Sequence, residues 1–282
     1  MIKYVGPFFL VIIFFIAFPG HLQAEVSTEE FLLEQGAPPP GANLANCEPD
    51  SDKLNPVVLV PGTFERSSQN WLTLAPELAK KGYCVYAMNY GLTHAGPSTG
   101  DIADSAYELK EFVDNVLQLT GADKVDIIGH SQGGMMPRQY LKFLDGENYV
   151  ENLIALVPSN HGTAGFFGLE RLNSGTADVT SCKACQQQLT GSEFLENLNQ
   201  GNETPGNVSY TVISTKTDQV VIPYTSAFLD GPDKHISNIT IQDYYPLNPA
   251  GHQEIVYDRL SFAFVFDALE HEGPADPERA VK

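Results

Sequence analysis

Ser131 sits in the run Gly129-His130-Ser131-Gln132-Gly133-Gly134, with a glycine two positions before it and another two after, and the apolar stretch Val125 to Ile128 leads into it. A serine hydroxyl is a weak nucleophile near neutral pH. It becomes useful when a sharp strand-to-helix turn holds it out at a sheet edge, beside the unsatisfied N–H groups of a helix start. Such a turn needs glycine at 129 and 133, because a side chain at either would strike neighbouring backbone. The chemistry that this arrangement suits is attack on a carbonyl carbon.

That chemistry needs a base for the serine proton and a carboxylate to orient the base, and in chains that use this turn the order is serine, acid, histidine. His252, in Pro249-Ala250-Gly251-His252, falls in a loop between the last expected strand and the final helix and is the preferred base. His161, directly after the strand that follows the serine, and His235, in the polar run 230–234 before a strand, stay as alternatives. His271 follows the final helix too closely to the chain end to be held rigidly. Asp218, in Lys216-Thr217-Asp218-Gln219-Val220-Val221, is the preferred acid because it stands at the C-terminal end of a strand, where the sites of such sheets gather. A turn-capping role is its competing reading. Asp230, Asp233 and Asp243 are the alternative acids, Asp243 the strongest of them because it ends the following strand. Charge that develops on the carbonyl oxygen needs donors. The backbone N–H of Gln132 is one; the turn Pro61-Gly62-Thr63 supplies the other, Thr63 having both an N–H and a hydroxyl to offer.

These residues must be placed by a scaffold, and the hydrophobic pattern indicates which. Strands are expected over 56–60, 83–88, 124–128, 153–157, 208–213 and 238–241. Helices are expected around Trp71, Leu74 and Leu78 (with Pro76 near the start or kinking it), over 105–119, after Ser131 through Met136, Tyr140 and Leu144, at Phe194-Leu195-Leu198, and over 254–269. Alternating strands and helices imply an α/β fold, a mostly parallel sheet with helices on both faces, broken by an irregular, lid-like insertion over 159–206. The expected organisation is a leader at 1–24, a Pro-rich lead-in at 25–53, a catalytic domain over 54–272 and a loose polar tail at 273–282.

The leader has one lysine, Lys3, an apolar run from Phe8 to Phe18, then Pro19-Gly20 and Ala24, as a cleaved secretory signal peptide does. The run is short for a bilayer-spanning anchor, which needs about 20 residues. The chain is therefore expected to be secreted, extracellular or periplasmic, without stable membrane insertion. Its net charge of -19 argues against nucleic acid or an anionic membrane as partner and suits a neutral or apolar substrate. Four cysteines in an exported chain most simply make two disulfides. Pairing Cys47 with Cys84 would tie down the lead-in, and Cys182 with Cys185 would close a local loop. The zinc or redox reading of Cys182-x-x-Cys185 is weaker, for want of a second cysteine pair or a nearby histidine, and no metal site is expected.

With these residues placed, the chain resembles the secreted class 2 lipase family of the α/β-hydrolase superfamily. The resemblance is carried by Val-Pro-Gly-Thr at 60–63, Gly-His-Ser-Gln-Gly-Gly at 129–134 and Met-Pro-Arg-Gln-Tyr-Leu-Lys-Phe-Leu at 136–144. Pro-Ser-Asn-His-Gly-Thr at 158–163, Thr-Asp-Gln-Val-Val at 217–221 and Gly-His at 251–252 complete it. It implies Ser131, Asp218 and His252 as a catalytic triad, Thr63 and Gln132 as the oxyanion hole, a Cys47–Cys84 disulfide and no cofactor. The implied substrates are esters of fatty acids or other acyl groups, met in transient contact with a lipid–water interface. One member of the family carries a different residue at the position of His130 and differs through the 159–206 insertion, so substrate preference transfers least safely there. Apolar residues at 166, 167 and 169, with Val221, Ile222, Phe228 and Leu229, are candidates for an acyl groove or for ordinary core. Acyl transfer and polyester hydrolysis would use the same triad; a catalytically silent binding protein of this fold is the rival from another class.

Overall fold

The computed structural model describes Met1 and residues 28–50, 53, 55–164, 181–232 and 234–282. The expected leader, the 165–180 part of the insertion with its three groove candidates, and Asp233 lie outside the described residues. Six strands form one sheet: β1 Val57–Val60, β2 Val85–Ala87, β3 Val125–His130, β4 Val150–Leu156, β5 Ser209–Ser214 and β6 Ile236–Thr240. Their spatial order is β2-β1-β3-β4-β5-β6 and every pairing is parallel.

The central strands β1, β3, β4 and β5 are buried along almost their whole length because both sheet faces are covered, as parallel connections require. Side chains alternate across β1. Val58 and Val60 join a core with Leu109, Phe112, Val113 and Tyr140, while Val57 and Leu59 join one with Trp71, Leu74, Phe262 and Val265. The first core lies under the helices Ile102–Thr120 and Pro137–Phe143; the second lies under Leu74–Lys80 and Arg259–Glu270. Burying each such side chain is worth about 1.5 to 3 kcal/mol.

The strand order reverses at β1. From there β2 lies to one side and β3 to the other, so the connections leaving the carboxyl ends of β1 and β3 run to opposite faces and open a crevice between them. Val60 is in register with Gly129, which brings Pro61-Gly62-Thr63 out beside His130-Ser131.

Three elements differ from expectation, each for a local reason. The final helix is split: a 3-10 turn covers Glu254–Tyr257, then Asp258 caps Arg259–Glu270 by accepting from the N–H groups of Leu260 and Ser261. The helix after Ser131 is likewise two pieces, Gln132–Met135 and Pro137–Phe143, because Pro137 has no N–H to continue the first. The segment expected as a loose polar tail at 273–282 is instead tied down. Arg279 donates two hydrogen bonds of 2.6 Å to the Asp267 carboxylate, and the buried Ala275 donates its N–H to Thr211 Oγ1.

Cys47 is joined to Cys84 and Cys182 to Cys185. The first bond ties the lead-in to the residue before β2. Cys182 also caps the five-residue helix Lys183–Gln187, an element the insertion's sequence did not reveal. Among the described residues no helix is long and apolar enough to cross a membrane.

Candidate active site

Ser131 stands between β3 and the helix Gln132–Met135 with φ 54° and ψ -121°, a left-handed conformation that a non-glycine residue adopts only when its surroundings impose it. Its N–H donates to Leu156 of β4, anchoring the turn to the sheet. A Cβ on Gly129 would lie 1.9 Å from the Gly133 carbonyl oxygen, and one on Gly133 would lie 2.2 Å from that of Val60. Both glycines are thus fixed by backbone contact, as the spacing required.

His252 follows β6 and lines one cleft with Ser131, Thr63, His130 and Glu65. Its Nδ1–H donates to Asp218 Oδ2 across 3.0 Å, and the two side chains are 2% and 1% exposed. The other oxygen of Asp218 accepts from the N–H groups of Val220 and Val221 at 2.8 Å. One oxygen of Asp218 thus caps the turn while the other faces the histidine. The His252 loop is fixed to the Asp218 loop as well: Thr215 and Thr217 donate their hydroxyls to the Ala250 carbonyl, and Gln219 Oε1 accepts the His252 N–H. Burial holds the His252 imidazole below its usual pKa of 6.5, against the opposing pull of the Asp218 hydrogen bond. It is a neutral ring at neutral pH.

On the other side of Ser131, Thr63 Oγ1 donates to Gln132 Oε1 at 2.6 Å. Gln188 Nε2 donates to both of those oxygens at 3.0 Å, and Ser159 Oγ donates back to Gln188 Oε1. The turn itself is braced by Tyr90, whose hydroxyl donates to the Pro61 carbonyl. The N–H of Gly62 is committed to Asn70 Oδ1 at 3.0 Å and to Glu65 Oε2 at 3.3 Å.

The alternative candidates sit elsewhere. His161 pairs with Glu203, which raises its pKa, and lies with the 224–227 turn. His271 pairs with Asp267 at the C-terminal end of the helix Arg259–Glu270. The carboxylate of Asp243 is 55% exposed and paired with Lys216, so it faces solvent. His235 closes a turn onto Pro232, with its carbonyl accepting from Tyr210, and Asp230 gives its N–H to Glu203. Of the groove candidates, Val221 and Leu229 are buried in the core, whereas Ile222 is exposed.

The sequence reading missed Glu65, Asn70 and Gln188 as neighbours of the site, and gave His130 no part. His130 is wholly buried: its Nε2–H donates to the His252 carbonyl oxygen at 2.9 Å, and its Nδ1 lies 2.8 Å from Glu65 Oε2 and 3.2 Å from Asn70 Nδ2. The one available signal was a polar, ring-bearing residue at 130, where a buried strand end otherwise favours an apolar one. A larger cavity of about 580 Å³ lies at the opposite end of the strands, against Cys47, Cys84, Asp123 and Lys124, remote from this histidine–serine cleft.

A family model described as lipase (class 2) matches residues 54–261. Among solved structures, lipase B of Aspergillus fumigatus superposes with a TM-score of 0.69 at 24% identity, covering 81% of this chain and 55% of its own. The mature form of lipase BlEst2 from Bacillus licheniformis gives 0.59 at 19% identity, covering 79% of this chain and 94% of its own. Phospholipase PlaB of Legionella pneumophila gives 0.54 at 15%, covering 77% and 59%. The chain spans about half the length of the Aspergillus protein. At these identities the superpositions show a shared fold, that of the α/β-hydrolases.

Proposed function

The chain belongs to the class 2 lipase family, and from that premise we propose that it is a secreted carboxylic-ester hydrolase acting through a serine nucleophile. The observation that carries this reading is one cleft lined by the strained Ser131 and by a buried His252 that is hydrogen-bonded to Asp218. His252 takes the Ser131 proton as the hydroxyl oxygen attacks the ester carbonyl carbon. The carbonyl oxygen moves into donors from Gln132 and Thr63; with the Gly62 N–H committed to Asn70 and the Thr63 hydroxyl to Gln132 Oε1, the donor of that turn falls to the Thr63 backbone N–H. The imidazolium returns its proton to the departing alcohol, leaving an acyl group on Ser131. A water deprotonated by His252 then attacks that acyl-enzyme, and the acid leaves. Asp218 holds the His252 tautomer and stabilises its protonated form throughout.

The substrates are esters of fatty acids or other acyl groups, taken in transient contact with a lipid–water interface. The catalytic unit is 54–272, exported by the 1–24 leader, and the two disulfides suit an oxidising compartment. A silent binding protein would have no use for a strained serine or for a desolvated Asp218–His252 pair, each of which costs stability. Hydrolysis of p-nitrophenyl esters of increasing chain length by the natural protein and by Ser131→Ala tests the proposal. Hydrolysis by the former and a loss of at least about 10³-fold in the latter are expected; equal rates would remove Ser131 from the mechanism.

A further inference from the structure

Asp218 fixes the side chain of His252, but a base is only as well placed as its backbone, and that is held by another pair. We propose that His130 and Glu65 are positioning residues that lock the backbone of His252 to the nucleophile turn and to the oxyanion loop, so that turnover depends on them while substrate affinity does not. The inference rests on the reading of His252 as the base.

Three connections converge here. His130, one residue before the nucleophile on β3, donates its Nε2–H to the carbonyl oxygen of His252 itself at 2.9 Å. Its ring packs 5.0 Å from the His252 ring. Its Nδ1 meets Glu65 Oε2, which also accepts the Gly62 N–H from the turn after β1. One hydrogen-bonded chain thus joins the loops after β1, β3 and β6, which carry the proposed donor turn, nucleophile and base.

The fold alone does not call for this chain. A sharp turn needs small residues at 129 and 133 but sets no polar requirement at 130. The His130 side chain is 0% exposed and that of Glu65 17%, and a desolvated polar pair costs stability where an apolar residue would not. Both His130 nitrogens are used, so the ring can neither flip nor drift without losing a partner, and displacing a reacting group by about 1 Å can cost on the order of 10²-fold in rate. Polar pairs that a core does not need are found where geometry must be held.

The test compares His130→Leu, Glu65→Leu, Glu65→Gln and the double variant H130L/E65L with the natural protein and His252→Ala, using p-nitrophenyl ester kinetics and thermal unfolding. His130→Leu and Glu65→Leu are each expected to lower kcat by about 10- to 100-fold with KM within about threefold. The double variant should lose no more than the worse single one, because both act through one chain. Glu65→Gln should recover part of the turnover: its amide can donate to Nδ1 and leave Nε2–H on the His252 carbonyl, but it then gives up the Gly62 N–H, which Asn70 Oδ1 still accepts. If His130→Leu does not fold, Glu65→Leu against Glu65→Gln decides alone. A folded Glu65→Leu with kcat within about twofold of the natural protein, multiplying losses in the double variant, or a change confined to KM would overturn the inference. An inactive His252→Ala beside a fully active Glu65→Leu would sink this inference only; an active His252→Ala would sink the base reading itself.

Discussion

Asp218 divides its carboxylate between a turn and a histidine, and that division predicts how the residue fails. Asp218→Asn keeps an oxygen for the Val220 and Val221 N–H groups, so the loop should fold. Its amide no longer accepts from His252 Nδ1–H, the ring takes the wrong tautomer, and kcat should fall about 10⁴-fold, as for the corresponding change in serine proteases. Steady-state kinetics with an unfolding curve separates this from misfolding. A second prediction concerns pH. Burial lowers the His252 pKa, and the base works only when neutral, so activity is full above that pKa and is lost as pH falls through it. The acid limb of the kcat/KM profile should have its midpoint below 6.5; a midpoint above 7 would assign the base elsewhere. At this scale the candidates Ser131, Asp218 and His252, which the fold brings together, were visible in the sequence because each carries a local signal: flanking glycines, a strand end, a late loop. Glu65 and Gln188 could not. Glu65 reaches His130 across 65 positions and Gln188 reaches Thr63 across 125, and no local pattern encodes such contacts.

The strand β3 and its turn are the element on which the rest depends. Gly129→Ala or Gly133→Ala would push a methyl group into backbone that cannot move without breaking β1 or the turn. Each should cost at least about 3 kcal/mol, read as a lowered urea midpoint, or yield no folded protein at all. At the other end of β3, Asp126 is buried beside the donating amides of Asn152 and Asn55, and burial pushes its pKa up from 3.8 to about 7. The unfolded carboxyl ionises near 3.8 and the folded one only near 7. This group's contribution is therefore full below pH 3.8, falls as pH rises through 7, and is a penalty above that. Asp126→Asn should remove that slope, raising the urea midpoint more at pH 8 than at pH 5. The strands were legible because buried parallel strands read as continuous apolar runs, such as Val57 to Val60. The break in the last helix was not, because the apolar period runs on past Asp258 and only the cap geometry stops it. The helix Lys183–Gln187 had no apolar period to show.

Across the whole molecule, chain order becomes a site because the strand order reverses at β1 and all six strands run parallel. Segments far apart in sequence then meet at the carboxyl ends of β1, β3, β5 and β6. The 2-1-3 strand order follows from no single segment, so the sequence indicated the fold class while the structure supplied the crevice. The Cys47–Cys84 bond spans 37 positions, and closing a loop of that length is worth about 4 kcal/mol by unfolded-chain entropy. C47S/C84S should accordingly lose about 2 to 4 kcal/mol of stability while keeping kcat, since the bond lies at the end of the sheet remote from Ser131. The central claim, that one serine in one cleft attacks the ester carbonyl, is tested most directly by covalent labelling with diethyl p-nitrophenyl phosphate, followed by peptide mass spectrometry. The account predicts one diethylphosphoryl group per chain, carried on Ser131, with esterase activity lost in proportion to labelling. Full activity in protein completely labelled at Ser131, or inactivation with the adduct on another residue, would contradict it.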